Sequence, residues 1–228
     1  MSFNGQTLFE KNGLFFTFFA KKGGRALDEF DKDLWIQVGR LLGRVHLISK
    51  SLELKDRIVW HPEVITKLQL ETIKNARCLL PDFEKSFFTA AEGFIEKAAP
   101  LFANSETILL HGDCHRGNMI FRPSEGLFLI DFDDMSLGPP VQDMWMLLPD
   151  TPKNCKAEIE WFINGYETFL PFNRASLDLI PALRGMRIIH FIAWCAIQYQ
   201  EPQFKASFPE WGGTRYWNET IKEIFNCI

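Results

Sequence analysis

The polar residues with the means to do chemistry lie between His111 and Asp134. A short apolar run, Thr107-Ile108-Leu109-Leu110, leads into His111-Gly112-Asp113-Cys114-His115-Arg116-Gly117-Asn118. Asp113 and Asn118 stand five apart, and Asp131 follows Asn118 by thirteen residues. Phosphoryl transfer from a nucleotide asks for such a set. One carboxylate orients or deprotonates the acceptor hydroxyl, while an amide oxygen and a second carboxylate hold magnesium on the phosphates. On that chemistry Asp113 is the base, and Asn118 and Asp131 are the metal ligands. A competing arrangement uses His111, Asp113 and His115, which alternate. In an extended segment they share a face and could bind a divalent metal as in a metallohydrolase. The other histidines, His46, His61 and His190, fall in helical segments. No Gly-x-Ser-x-Gly elbow is present, and Cys114 reads as a packed thiol rather than a nucleophile.

The surrounding pattern sets how these groups are held. Met119-Ile120-Phe121 and Leu127-Phe128-Leu129-Ile130 read as two strands around a Pro123-Ser124-Glu125-Gly126 turn. That hairpin folds Asp131 back beside the 111–118 loop, whose Gly112 and Gly117 give it backbone freedom. Before the loop, a helix runs from Asp31 or Asp33 to about Ile48, with Leu34, Val38, Leu41, Leu42 and Val45 on one stripe. Gly39 and Gly43 on this helix permit close approach of a neighbour. Further helices are predicted near 62–78 and 82–102, with prolines marking entry or exit. After Gly138-Pro139-Pro140 come helices near 141–148, 157–170, 176–200 and 214–225. The N-terminal residues read as a β-hairpin, in which Thr7-Leu8-Phe9 and Leu14 to Phe19 flank an Asn12-Gly13 turn. Its second arm is apolar on both faces, so a cover is expected on each side. Lys21-Lys22-Gly23-Gly24-Arg25 reads as a flexible connector.

Composition narrows the classes. Of the 228 residues 46% are hydrophobic and 24% charged, which excludes a disordered or collagen-like chain. The net charge of −4 argues against a broad footprint for nucleic acid. Five cysteines without a C-x-x-C pair suggest free thiols in a reducing cytoplasm. The N-terminus has no signal-peptide pattern. The longest apolar run, residues 188–197, is too short to span a bilayer. A cytoplasmic protein with neither nucleic acid nor membrane as partner is the expectation. His46 reads as a structural histidine, and the arginines at 184, 187 and 215 read as a solvated face, with contact to phosphate or an acidic acceptor as the alternative. Asp133 and Asp134 stay open between metal or amine binding and a solvated role.

His111-Gly112-Asp113-x-His115-x-Gly117-Asn118, followed by Ile130-Asp131-Phe132-Asp133, resembles the catalytic core of the aminoglycoside phosphotransferase and choline kinase-like superfamily. Gly23-Gly24-Arg25, Gly39-Arg40-x-x-Gly43-Arg44-x-His46 and Gly138-Pro139-Pro140-x-Gln142-Asp143 are similar more narrowly to the bacterial stress response kinase A (YihE-type) family. The resemblance covers essentially the whole chain. It implies an α+β, protein kinase-like fold: a mostly helical C-terminal lobe (residues 25–228) with a catalytic β-hairpin, and a β-rich N-terminal lobe of which residues 1–24 are a remnant. The catalytic loop is 111–118 and the metal-binding segment 130–134. It implies Asp113 as the catalytic aspartate, Asn118 as a magnesium ligand and Asp131 as a bridge between metal and phosphates. His111 would brace the loop, and Asp143 would tie the following helix to it. The implied reaction uses ATP as co-substrate with Mg2+, and the acceptor is a hydroxyl of a protein serine or threonine or of a small molecule.

The chain also departs from that family. Members carry a strand lysine on the α- and β-phosphates and a helix glutamate that pairs with it. Only 22 residues precede Gly23, and Lys11, Lys21 and Lys22 lie in the turn or connector, so none fits that lysine. No glycine-rich phosphate cradle is present. The hairpin would match the last two strands and hinge of that lobe. A truncated form is therefore expected, with a catalytically inactive, partner-binding lobe as the alternative.

Overall fold

The computed structural model describes residues 6–18, 20, 21, 23–27, 29–52 and 56–227. Phe19 and Lys22 lie outside the described residues, as do the first five residues.

Strands β1 (Phe9–Lys11) and β2 (Leu14–Phe16) pair antiparallel, with Phe9 opposite Phe16. Asn12 and Gly13 take φ of 55° and 78°. Two consecutive left-handed residues make the turn whose twist suits a two-residue hairpin, as the sequence predicts. The rings of Phe9, Phe16 and Phe18 cluster with centroids 5.5 to 5.9 Å apart. Leu14 and Phe15 stay 72% and 71% exposed. The expected cover on both faces is therefore not present among the described residues, because a two-stranded ribbon has only its own rings to pack against.

The connector differs from its sequence reading. Arg25 and Phe121 exchange both backbone hydrogen bonds at 3.0 Å, and the Arg25 guanidinium lies over the Phe121 ring at 5.1 Å. Residue 25 is thus tied to the strand that carries Phe121 rather than free, because that strand has an open edge that accepts a further pairing.

The helical body begins with α1 (Lys32–Ser49). The Asp31 side chain accepts a hydrogen bond from Leu34 N at 2.8 Å and caps it. Its buried stripe, Trp35, Val38, Gly39, Leu42, Gly43 and His46, packs against α5 (Lys156–Tyr166). The two helices touch through their backbones. A β-carbon on Gly39 would overlap the Phe162 carbonyl oxygen, one on Gly43 would crowd that of Tyr166, and one on Gly165 would overlap that of Ile36. The close approach that Gly39 and Gly43 suggest in the sequence is realised, with Gly165 as the unforeseen third member.

A π-turn at Pro62–Thr66 leads into α2 (Lys67–Ala76), which stops at Arg77 in the left-handed region. Then come α3 (Pro81–Ala98), with a 3-10 turn at Ala99–Phe102, and β3 (Ile108–Leu110). A hairpin follows, formed by β4 (Met119–Arg122) and β5 (Gly126–Leu129), in the register Met119 to Leu129. A short β6 (Ser136–Gly138), absent from the sequence reading, returns to pair with β3. Three residues ending at a Gly-Pro-Pro carry no strand periodicity, so only the tertiary pairing reveals it. The chain continues through α4 (Gln142–Trp145), α5, a 3-10 turn at Arg174–Leu179, α6 (Ile180–Gln198), α7 (Pro202–Ser207) and α8 (Thr214–Asn226). Arg174–Gln198 forms one helical stretch of 25 residues that is long and apolar enough to cross a membrane by length and composition. The shorter apolar run seen in the sequence underestimates it. It packs against α2, α3, α4 and α8, and its Leu183, Met186, Ile189 and Ile192 are fully buried core residues.

A Gly165→Ala substitution tests the backbone contact. Better helix propensity would stabilise it by about 1 kcal/mol, whereas overpacking costs about 1–3 kcal/mol. With a backbone oxygen as the obstacle, overpacking wins, and the urea midpoint is expected to fall without loss of helical circular dichroism.

Candidate active site

The site is built where two strand pairs close on one loop. β3 delivers the chain to His111, and the β4–β5 hairpin returns it to Asp131. β6 then brings it back alongside β3, with Leu110 opposite Ser136. Residues 111–118 and 130–135 are thereby clamped together. Gly112 sits at φ 88°, and a β-carbon there would overlap the Asp134 carbonyl oxygen. Conformation and close approach both require glycine at this position.

The loop hangs on Asp143, at the start of α4 and fully buried. Its Oδ2 accepts from His111 N at 2.7 Å and its Oδ1 from Gly112 N at 3.0 Å. His46 Nε2 lies 3.0 Å from the same Oδ2, and His46 Nδ1 lies 2.9 Å from the Tyr166 hydroxyl. The fully buried His46 thus joins α1, α5 and the loop, which fits its reading as a structural histidine. Burial, followed by the charges of Glu106 and Asp143, pushes the Tyr166 hydroxyl well above the ordinary phenol range. His111 is buried and its Nε2 meets the Ile130 carbonyl at 2.8 Å, with the ring against Phe132 at 4.7 Å. It braces the loop to the 130 segment.

Asp113 is held by three side chains. Arg187 Nη2 donates to its Oδ1 at 2.6 Å, Asn118 Nδ2 lies 3.4 Å from its Oδ2, and His115 Nε2 lies 3.3 Å from the same oxygen. Asn118 also donates to the Asp113 carbonyl at 2.9 Å and accepts from Ile130 N at 3.0 Å through its own carbonyl. Those two bonds place Asn118 between Asp113 and the residue preceding Asp131. Asp131 takes φ 64°, left-handed for a residue with a β-carbon, a conformation that aspartate tolerates better than most and that recurs at functional sites. Its side chain is exposed and forms no hydrogen bond or ion pair among the described residues. The Asn118 amide oxygen likewise takes no donor. Two free oxygen donors of this kind suit a hard divalent cation, so the residues present fit magnesium.

The alternative metallohydrolase set is not assembled. His111 is buried against Ile130 and Phe132 while the half-exposed His115 sits on Asp113, and among the described residues no group of three His, Cys, Asp or Glu side chains stands close enough to hold a metal. Cys114 is fully buried, and burial, reinforced by the charges of Asp143 and Asp113, pushes its thiol well above the ordinary range. That is the packed thiol of the sequence reading. Arg187 needs correction. It is not part of a solvated face but half-buried on Asp113, because α6 passes directly beside the loop. The signal was available: Arg184 and Arg187 are the only formally charged residues in a largely apolar 19-residue helix. Arg184 and Arg215 do sit at the surface, paired with Glu223 at 3.2 Å and Glu219 at 2.8 Å. Asp133 and Asp134 are exposed.

A mostly helical lobe whose Asp–Asn loop is closed by a hairpin that returns a second aspartate is an α+β, kinase-like phosphotransferase fold. Solved structures agree at the level of the fold. An amicoumacin kinase, hAmiN, in complex with AMP-PNP and Ca2+, superposes with a TM-score of 0.64 at 19% identity, over 89% of this chain and 63% of its own. A spectinomycin phosphotransferase in complex with ADP and its antibiotic gives 0.57 at 15% identity, over 98% and 74%.

The chain belongs to the phosphotransferase enzyme family, whose profile it matches over residues 2–180. Within that family it is 33% identical over 222 residues to stress response kinase A of Escherichia coli, across 95% of this chain. It is 32% identical over the same length to a Salmonella typhimurium protein named serine/threonine protein kinase RdoA. The chain spans 66% of the length of these curated relatives.

Replacing Asp143 with alanine would strand the His111 and Gly112 amides and His46 in a dry interior. Removing one partner of such a buried set costs about 3–5 kcal/mol, so Asp143→Ala is expected to lower the urea unfolding midpoint sharply.

Proposed function

We propose that this lobe transfers the γ-phosphoryl group of ATP to a hydroxyl, with a protein serine or threonine as acceptor, in a bacterial stress response in the cytoplasm. The observation that carries the reading is the hydrogen-bonded convergence of Asp113, Asn118 and the Ile130–Asp131 corner. The names of the curated relatives support the protein acceptor and the stress role. The five unpaired cysteines are consistent with a reducing compartment.

In this reading Asp113 accepts the proton of the acceptor hydroxyl. The acceptor oxygen bonds to the γ-phosphorus as the bond from that phosphorus to the β,γ-bridging oxygen breaks, and ADP leaves. Arg187, His115 and Asn118 hold the Asp113 carboxylate, so its orientation is set before the acceptor arrives. Asn118 and Asp131 would hold magnesium, which offsets charge on the phosphates when bound.

General-base removal costs about 10²–10⁴ in rate, so Asp113→Asn is expected to keep its fold and lose turnover by that factor in an ADP-release assay. Substantial turnover in that variant would exclude Asp113 as the base. Magnesium-dependent ATP binding, followed by calorimetry, is expected to vanish in Asp131→Ala. Equal binding by wild type and variant would remove Asp131 from the metal site.

A further inference from the structure

A trough with a cavity volume of about 880 Å³ runs between α2 and α3, and none of its lining residues belongs to the 111–118 loop, the 130–134 segment or α6. α2 packs chiefly against α6 and α3 chiefly against α8, so the two helices leave their facing sides open. The floor is apolar: Leu70 and Ile95 are buried and Phe88 is half-buried. The rims are charged, and the charge is sorted by end. The Pro62–Thr66 turn packs against α3 and the His61 ring meets Phe102 at 5.5 Å. Glu63 and Lys67 therefore share an end of the trough with Glu92 and Glu96. Residues 78–80 join the helices at the other end, where a second cavity of about 500 Å³ continues the trough along Lys74, Arg77 and Glu84. Lys85 lies beside them. Lys67 is taken up by Glu63 at 3.2 Å, whereas Glu92, Glu96, Lys74, Arg77 and Lys85 are exposed and form no ion pair among the described residues. Glu92 and Glu96 stand four apart on one helix, a like-charge spacing that weakens α3 unless a cation lies against it.

We propose that this trough is a docking groove for an amphipathic helix of a partner protein, basic at one end and acidic at the other. Its apolar stripe covers Leu70, Phe88 and Ile95, its basic end meets Glu92 and Glu96, and its acidic end meets Lys74, Arg77 and Lys85. Helix-in-groove recognition needs an apolar floor of this kind for affinity and charged rims for register. From Glu63 to Arg77 the α2 wall measures about 20 Å at helical rise, room for about four turns. A segment of a single charge sign would be repelled at one end. A second copy of the same face does not fit either, since two concave troughs cannot fill one another.

Calorimetry of the whole chain against synthetic helices of about 14 residues tests it. Each peptide carries leucines at i, i+3, i+4 and i+7 on one face and a hydrocarbon staple on the other, so that it is helical before it binds. The first has glutamates in its N-terminal half and lysines in its C-terminal half; the second has glutamates only and the third lysines only. The mixed peptide is expected to bind most tightly. Glu92→Lys with Glu96→Lys, and separately Lys74→Glu with Lys85→Glu, are each expected to weaken it about tenfold. The first double variant is expected to gain affinity for the all-glutamate peptide, and the second for the all-lysine peptide. The four side chains are exposed and unpaired, so both variants keep the helical circular dichroism of the parent. No binding of the mixed peptide by folded protein, equal or tighter binding of either single-sign peptide to the wild type, or unchanged affinity in both variants would each overturn the proposal. A wild-type chain that is dimeric without peptide, and monomeric in both variants, would assign the face to a second copy and overturn it as well.

Discussion

A single buried carboxylate holds the candidate site in place. Asp143 is out of contact with water, so its oxygens must find donors inside the protein. They find them in the first two amides of the 111–118 loop and in His46, which in turn meets Tyr166. Three elements distant in sequence, α1, the loop and α5, are thereby fixed to α4. The arrangement is sensitive in one direction: the donors are as buried as the acceptor, so none can turn to solvent if the carboxylate is lost. The close approach of α1 and α5 through glycines keeps His46 and Tyr166 at hydrogen-bonding distance, and it explains why the two helices cannot drift apart without loosening the loop.

Around that anchor the loop is closed from both ends. The β3–β6 pair holds its entrance and the β4–β5 hairpin its exit, while Ile130 is bound twice, through its N–H by Asn118 and through its carbonyl by His111. The corner that follows turns through a left-handed Asp131. A conformation of that cost persists only where the flanking bonds over-determine it, and here they do. The outcome is that the oxygen of the buried Asn118 amide and the exposed Asp131 carboxylate take no protein donor among the described residues. Asp113, by contrast, is held by Arg187, His115 and Asn118, so its direction is set by the protein and not by solvent.

Much of this was legible in the sequence. The Asp–Asn spacing, the hairpin returning Asp131, the Asn12-Gly13 turn and the glycine pair on α1 are local or periodic signals, and each appears where the pattern put it. The structural roles of His46, His111 and Asp143 also agree with the sequence reading. Arg187, β6 and the anchoring of Arg25 were not legible. Each depends on a neighbour remote in the chain: Asp113 for Arg187, β3 for β6, and Phe121 for Arg25.

The sequence by itself determined the chemistry on offer: which residues can take a proton or ligate a metal, and which backbone positions must be glycine. Side-chain type and short-range conformational preference settle those matters, and both act within a few residues. Only the tertiary structure decided which groups share an environment. It turned Arg187 from a surface cation into a partner of Asp113, and it separated His111 from His115, which an extended chain would place on one face. The physical reason is that burial and pairing are set by long-range packing. A buried charge or donor is stable only with its partner beside it, and the partner's position is fixed by elements that no local pattern can see.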